Sequence, residues 1–315
     1  MKIQSTFFVV LGLVLTFACS QLHATLLVYN GFDHGGADID LHNVTVTANS
    51  QGLTGNYDNL SNTSGQSFTF IYDADAGLSF GSNYFSGTGG AVYSSAQADT
   101  NPSHVLDMEL DLSSAVSGTL YSSYLLNYRS FGTETFITTV RAADAGRTNT
   151  RFNAALDFGG GASSSDIGVS TSYDTSRVAT DYLISSGTTY LLLSSFTNVG
   201  NAGGGTAATY LFDQTAYDNW YNAGSVEGDL GSFALSSVTE TVGSGTFSFA
   251  DGEFIDYTNF VSNAGGHSPY VSVDMDEMRW GTELSDVVSV IPEPSSLILL
   301  LLGLPILRWG LRRRS

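Results

Sequence analysis

In the stretch Val105-Leu106-Asp107-Met108-Glu109-Leu110-Asp111-Leu112 apolar and acidic side chains alternate residue by residue from Leu106 onward. Successive side chains of a strand leave on opposite faces. The run is therefore predicted as a half-buried strand, with Asp107, Glu109 and Asp111 on one face and Met108 and Leu110 on the other. Outward from it, comparable alternating or β-branched runs recur at 26–29, 44–47, 68–72, 119–128, 135–141, 152–158, 190–197, 207–212, 254–261 and 270–279. Gly, Asn, Asp and Ser clusters separate them, only Pro102 and Pro269 interrupt them, and no convincing amphipathic helix competes. Short strands spaced in this way predict an all-β fold, an antiparallel sandwich. The Gly-rich stretches 159–165 and 200–205 lie between strand signals and read as loop tips. No composition shift or fixed-period repeat divides residues 25–289, which are expected to form one domain.

The two ends differ from this body. Met1 and Lys2 precede an apolar run at 7–18 and then Leu22-His23-Ala24, the charged, apolar, small-residue order of a secretory signal with a cut before Thr25. Residues 1–24 are read as that signal helix. The chain's one cysteine, Cys19, leaves with it, so the mature body is expected to hold no disulfide, zinc-thiolate site or cysteine nucleophile. Between Thr25 and Ser289 six arginines and no lysine stand against 29 acidic residues. That imbalance excludes a nucleic-acid surface, which needs the opposite sign. It suits an extracellular domain and supplies carboxylates for calcium.

From Val290 the chain reads Val-Ile-Pro292-Glu293-Pro294-Ser-Ser, then a short apolar run at 297–307, then Arg308-Trp309-Gly310-Leu311-Arg312-Arg313-Arg314-Ser315. The run is predicted as a short hydrophobic helix. The basic cluster is the side retained in the cytoplasm, with the body outside. Motif, apolar segment and arginines in this order at 290–315 resemble the PEP-CTERM sorting signal. The resemblance implies an exported precursor held in the inner membrane of a Gram-negative bacterium until an exosortase cuts near Pro292, Glu293 and Pro294. Arg308, Arg312, Arg313 and Arg314 would act as the membrane stop. The expected destination is the cell surface or extracellular matrix, in association with biofilm polysaccharide.

Within the body, 27–33, 117–125, 189–193 and especially Val273-Asp274-Met275-Asp276-Glu277-Met278-Arg279-Trp280-Gly281-Thr282 resemble laminin-G-like, concanavalin A-like jelly rolls. The resemblance implies a jelly-roll sandwich whose first and last strands pair, bringing Asp33 toward Asp276 and Glu277. Those three carboxylates are the candidate ligands of a structural Ca²⁺; the competing reading pairs Glu277 with Arg279 or leaves it facing solvent. Asp73-Ala74-Asp75-Ala76-Gly77 begins like a calcium loop, lacks the remaining ligands, and reads as an Asp/Gly turn.

Asp107, Glu109 and Asp111 resemble, with residue types inverted, the carboxylate face on which laminarinase-like glycosidases place nucleophile and acid/base. An exposed strand face in an acidic protein gives the same pattern. Tyr217, Trp220 and Tyr221 are the candidate sugar-stacking aromatics, against a core role for the tryptophan. His34, His42, His104 and His267 show no metal spacing and read as loop or surface residues. The leading expectation is a non-enzymatic, sorted surface protein without cofactor beyond that calcium. A lectin-like carbohydrate-binding module is the alternative, and a glycoside hydrolase the third reading.

Overall fold

The computed structural model describes residues 26–289, apart from 47–49, 60–68, 86–88, 96–102, 131–134, 146–149, 159–166, 173–177, 183, 243–247 and 263–271. The signal and the sorting tail lie outside the described residues. Among the described residues no helix is long and apolar enough to cross a membrane.

The strands, in chain order, are β1 (Leu26–Asn30), β2 (Ile39–Asp40), β3 (Leu53–Asn59), β4 (Thr69–Asp73), β5 (Ala91–Ser95), β6 (Ser103–Leu110), β7 (Gly118–Ser130) and β8 (Thr135–Ala143). They continue with β9 (Thr150–Phe158), β10 (Ile167–Ser172), β11 (Val178–Tyr182), β12 (Thr189–Val199), β13 (Gly205–Phe212), β14 (Ser236–Val242), β15 (Phe254–Ser262) and β16 (Ser272–Gly281). Three short helices are α1 (Gln214–Asn222), α2 (Leu230–Phe233) and α3 (Leu284–Val287).

The chain is a jelly-roll β-sandwich. One sheet has nine strands, ordered β14-β13-β12-β7-β16-β5-β4-β2, with β1 also on β16; the other has seven, ordered β11-β10-β9-β8-β15-β6-β3. Neighbouring strands are antiparallel throughout, and the first strand pairs with the last, Tyr29 opposite Arg279 and Asn30 opposite Met278.

Alternation decides what enters the space between the sheets. From β6 come Leu106, Met108 and Leu110, from β7 Leu120, Tyr124, Leu126 and Tyr128, from β12 Tyr190, Leu192 and Phe196, and from β16 Val273, Met275, Met278 and Trp280. Trp280 is fully buried. It lies between Phe249, with ring centroids 5.3 Å apart, and Phe196, 6.1 Å away, both near parallel. Burial of this one ring joins both β12 and the segment before β15 to the last strand.

The nine-stranded sheet is also buried on its outer face, where Leu125, Leu191, Leu193 and Phe212 turn away from the first core. On this face α1 packs against β12 and β13, α3 against β7 and β16, and Tyr84 reaches Ser123 of β7. The segment 44–47, expected as a strand, makes a single bridge from Thr45 to Asn56. The strands β3, β5, β10, β11 and β14 are short, Ser/Thr/Asn-rich or Gly-containing, and their backbone pairing is decided by neighbours more than by their own pattern.

The expectation of no helix is corrected at 214–222. Asp213 caps α1 by accepting from the Ala216 amide at 2.8 Å, and Ala216, Tyr217 and Trp220 form its buried stripe. Two of the three aromatics that read as a sugar platform, Tyr217 and Trp220, belong to that buried face.

Replacing Trp280 with Ala is expected to cost about 3–5 kcal/mol, the range for a large aromatic removed from a packed core. Urea unfolding checks it, as a lowered midpoint at unchanged slope.

Candidate functional site

Strand β16 breaks alternation once. Its register against β7 shifts between Asp276 and Arg279, and Glu277 takes a left-handed backbone, φ 52°. One extra residue in a strand is a β-bulge. It turns both Asp276 and Glu277 to the outer face while Met275 and Met278 still point inward. A non-glycine residue in that region is strained by roughly 1–2 kcal/mol, and here its side chain is tied on both oxygens. Glu277 Oε1 accepts from the Tyr29 hydroxyl at 3.0 Å and Oε2 from Arg279 Nη2 at 2.8 Å. The Arg279 guanidinium lies between two rings, 4.5 Å from the Tyr29 centroid and 3.9 Å from that of Phe85. The pairing of Glu277 with Arg279, one of the two sequence readings, is the observed one. Gly31 is required here, because a Cβ on it would run into the Tyr29 hydroxyl.

Asp276 is the floor of a cavity of about 270 Å³. Leu78, Phe80 and Phe85 wall it, with Gly77, Gly89 and Ser79 at the water-exposed rim. The Leu78 amide donates to Asp276 Oδ2 at 2.9 Å and the Glu277 amide to Oδ1 at 2.7 Å. The loop doubles back closely enough that a Cβ on Gly77 would meet the Gly89 carbonyl, and Gly89 itself, φ 116°, packs on Asp33. Beneath the loop, Phe80, Tyr84 and Tyr217 stack edge to face at 5.5–5.8 Å between centroids. Asn83 donates to Asp218 at 2.8 Å, Tyr84 shares a 3.3 Å bond with the buried Ser123 hydroxyl, and Tyr217 donates to the Ser289 carbonyl at 2.9 Å.

The structure therefore gathers two sequence-predicted groups around one loop and gives both new roles. Trp220 is fully buried and donates its indole N–H to the Val226 carbonyl at 2.9 Å; Tyr217 is buried, and Tyr221 half-buried beside it. Neither Trp220 nor Tyr217 offers a face to a sugar. Asp33 accepts from the Gly35 amide, and the oxygens of Glu277 face Tyr29 and Arg279, which leaves Asp276 the carboxylate at the cavity. Among the described residues no three His, Cys, Asp or Glu side chains stand close enough to hold a metal. The Asp73 segment is a turn, closed by the Asp75 amide on Asp73 Oδ1 at 3.2 Å.

Asp107, Glu109 and Asp111 do not line one open face. The strand β6 ends at Leu110; Asp107 is 1% exposed, Glu109 half-buried and Asp111 exposed beyond the strand. Asp107 stands opposite Asp256 of β15, which stands opposite Arg141 of β8, so the face reads as a row across strands. The fully buried Asp256 carboxylate accepts from Arg141 Nε at 2.9 Å. Sequence spacing missed this cross-strand pair because its members are far apart in the chain. It also missed Phe85 and the glycines around it, although the density of Gly and aromatics at 77–90 is a visible signal.

No family model matches the chain, and no curated protein matches it. Among solved structures it is similar to the CBM2 module of the evolved Dit of Lactobacillus casei BL23 phage J-1. That match has 11% identity and a TM-score of 0.37, over 73% of this chain and 94% of that one. It is also similar to lectin UEA-II complexed with galactose, at 10% identity and 0.35, over 80% and 100%. A family 7 alginate lyase, A1-II', is similar at 12% and 0.33, over 66% and 86%. At these identities the likeness is one of fold.

Burial, then the neighbouring charge of Glu277, holds the Asp276 carboxyl well above the usual carboxylate range, against the pull of the two amides. A carboxyl raised on folding binds its proton more tightly folded than unfolded. It therefore opposes folding above its folded pKa, and the penalty fades as pH falls toward the ordinary carboxylate value. The thermal midpoint of the wild type is expected to rise relative to that of Asp276→Asn on going from about pH 8 to about pH 5. Paired melts measure this; a flat or falling difference would contradict the raised value. Calcium needs six to eight oxygens, so melts in millimolar CaCl₂ and in EDTA are expected to coincide.

Proposed function

We propose that the chain is an exported surface protein, sorted through its C-terminal tail, whose jelly roll is non-enzymatic and associates with extracellular polysaccharide. The terminal motifs support export and sorting, and the acidic, lysine-free body supports an extracellular address. The observation that carries the non-enzymatic half is the burial of the carboxylate row. Asp107 and Asp256 are closed off from solvent, and Asp256 is committed to Arg141. A hydrolase on this architecture needs two carboxyl groups flanking a bound sugar. By contrast, the cavity over β16 presents one carboxylate, an apolar wall of Leu78, Phe80 and Phe85, and a rim of Gly77, Gly89 and Ser79. That is the composition of a small-ligand site, mostly apolar with a few placed polar groups.

On this reading the lectin-like site lies at Leu78, Phe85 and Asp276, in place of Tyr217, Trp220 and Tyr221. The sorting half predicts two new ends on the chain recovered from native surface fractions. Mass spectrometry of both termini is expected to begin at Thr25 and to lack Arg312, Arg313 and Arg314. A surface form that keeps those arginines overturns the sorting proposal. Co-sedimentation of the same material with cell-derived polysaccharide tests the binding half, and failure to co-sediment overturns it.

A further inference from the structure

We infer that the cavity over β16 takes an amino-sugar unit, its ammonium on the Asp276 carboxylate and its ring against Phe85 and Leu78. The inference rests on the polysaccharide reading above and narrows it to one residue class and one site.

Charge supports the ammonium. Asp276 is 2% exposed, and the charges acting on it most strongly, Glu277 and Asp274, are both negative. The arginines nearby are committed elsewhere, Arg279 to Glu277 at 2.8 Å and Arg129 to Asp274 and Asp73, each at 2.7 Å. With no lysine in the body, the chain has little further positive charge to bring. A buried carboxylate in this position favours its protonated form, and an entering cation restores the ionised one. The two amides fill two of roughly four acceptor sites on a carboxylate, so Asp276 retains capacity for a donor from the cavity. A uronate or a phosphate would meet the same field as repulsion.

Size and shape support the sugar ring. A volume of about 270 Å³ lies just below the usual range of ligand pockets, which begins at about 300 Å³. It has room for one pyranose unit. Phe85 already has the Arg279 guanidinium stacked 3.9 Å from its centroid, which fixes the ring in place. Gly77 and Gly89 add no side chain to the rim, and both, with Ser79, face water. The carboxylate itself sits on a bulge in a central strand, held from both sides, and needs no reordering to receive a ligand.

The test is calorimetric titration of the purified full chain with glucosamine, glucose, N-acetylglucosamine, galacturonate and methylamine. Glucosamine is expected to bind at least about tenfold tighter than glucose or N-acetylglucosamine, a difference of about 1.4 kcal/mol, with galacturonate unbound. Asp276→Asn is expected to abolish the preference, and Ser79→Trp, at the exposed rim, to block every ligand. Should Asp276→Asn fail to fold, Ser79→Trp carries the assignment to this cavity. Equal binding of glucose and glucosamine overturns the ammonium contact, and equal binding of methylamine overturns the ring. Glucosamine binding that survives Ser79→Trp overturns the site. Polysaccharide co-sedimentation without any monosaccharide binding overturns this inference and leaves the proposed function standing. Loss of both overturns the two together.

Discussion

Strand β16 runs through the larger sheet with β7 along one flank and β5 and β1 along the other, and what it places on each face is decided at Glu277. Strict alternation would send Glu277 inward beside Met275 and turn Met278 to the outside. A buried carboxylate without its partners costs several kcal/mol, whereas a left-handed residue costs roughly 1–2. The bulge is the smaller of the two penalties. It also brings the Glu277 oxygens to Tyr29 of β1 and to Arg279, and through Arg279 to Phe85 of the covering loop. One backbone irregularity thus holds the first strand, the last strand and the loop over them.

A second consequence is that the nine-stranded sheet is covered on both faces. On its outer face Leu125, Leu191, Leu193 and Phe212 are buried, and Phe212 meets Tyr217 of α1, which in turn meets Phe80 and Tyr84. A layer built from loop and short helix carries many backbone polar groups, and each buried one needs a partner. The hydroxyls of Tyr84, Ser123 and Tyr217 meet part of that demand, reaching another hydroxyl or the carbonyls of Asn83, Val287 and Ser289. Tyr84 and Tyr217 thus serve this layer both as packing rings and as hydrogen-bonding groups.

The sandwich was legible wherever strands alternate strongly. Residues 105–112, 119–128 and 190–197 each carry a run of large apolar side chains at period two, and each is a strand, the first as far as Leu110. The β1 to β16 pairing followed from the jelly-roll resemblance and is observed. The site was less legible for a physical reason. Its parts are a bulge, which reverses the parity on which a face assignment depends, and a glycine loop whose value lies in the absence of side chains. Trp220 misled because an aromatic beside Asp218 and Asn219 has the composition of a lectin rim, while helical spacing, Ala216 to Trp220, is what decides its burial. Asp107 misled because the partner that defines its surroundings, Asp256, comes from a strand that follows much later in the chain.

The chain leaves the sandwich through α3, whose end is fastened twice, by Ser123 to the Val287 carbonyl at 2.6 Å and by Tyr217 to that of Ser289 at 2.9 Å. Seen as a mechanical part, this is a strain relief. A pull on the residues that follow meets these two hydroxyls before it reaches a sheet. When it does reach one, it loads β16 along its length, with ladder bonds on both sides sharing the force, instead of peeling an edge strand one bond at a time.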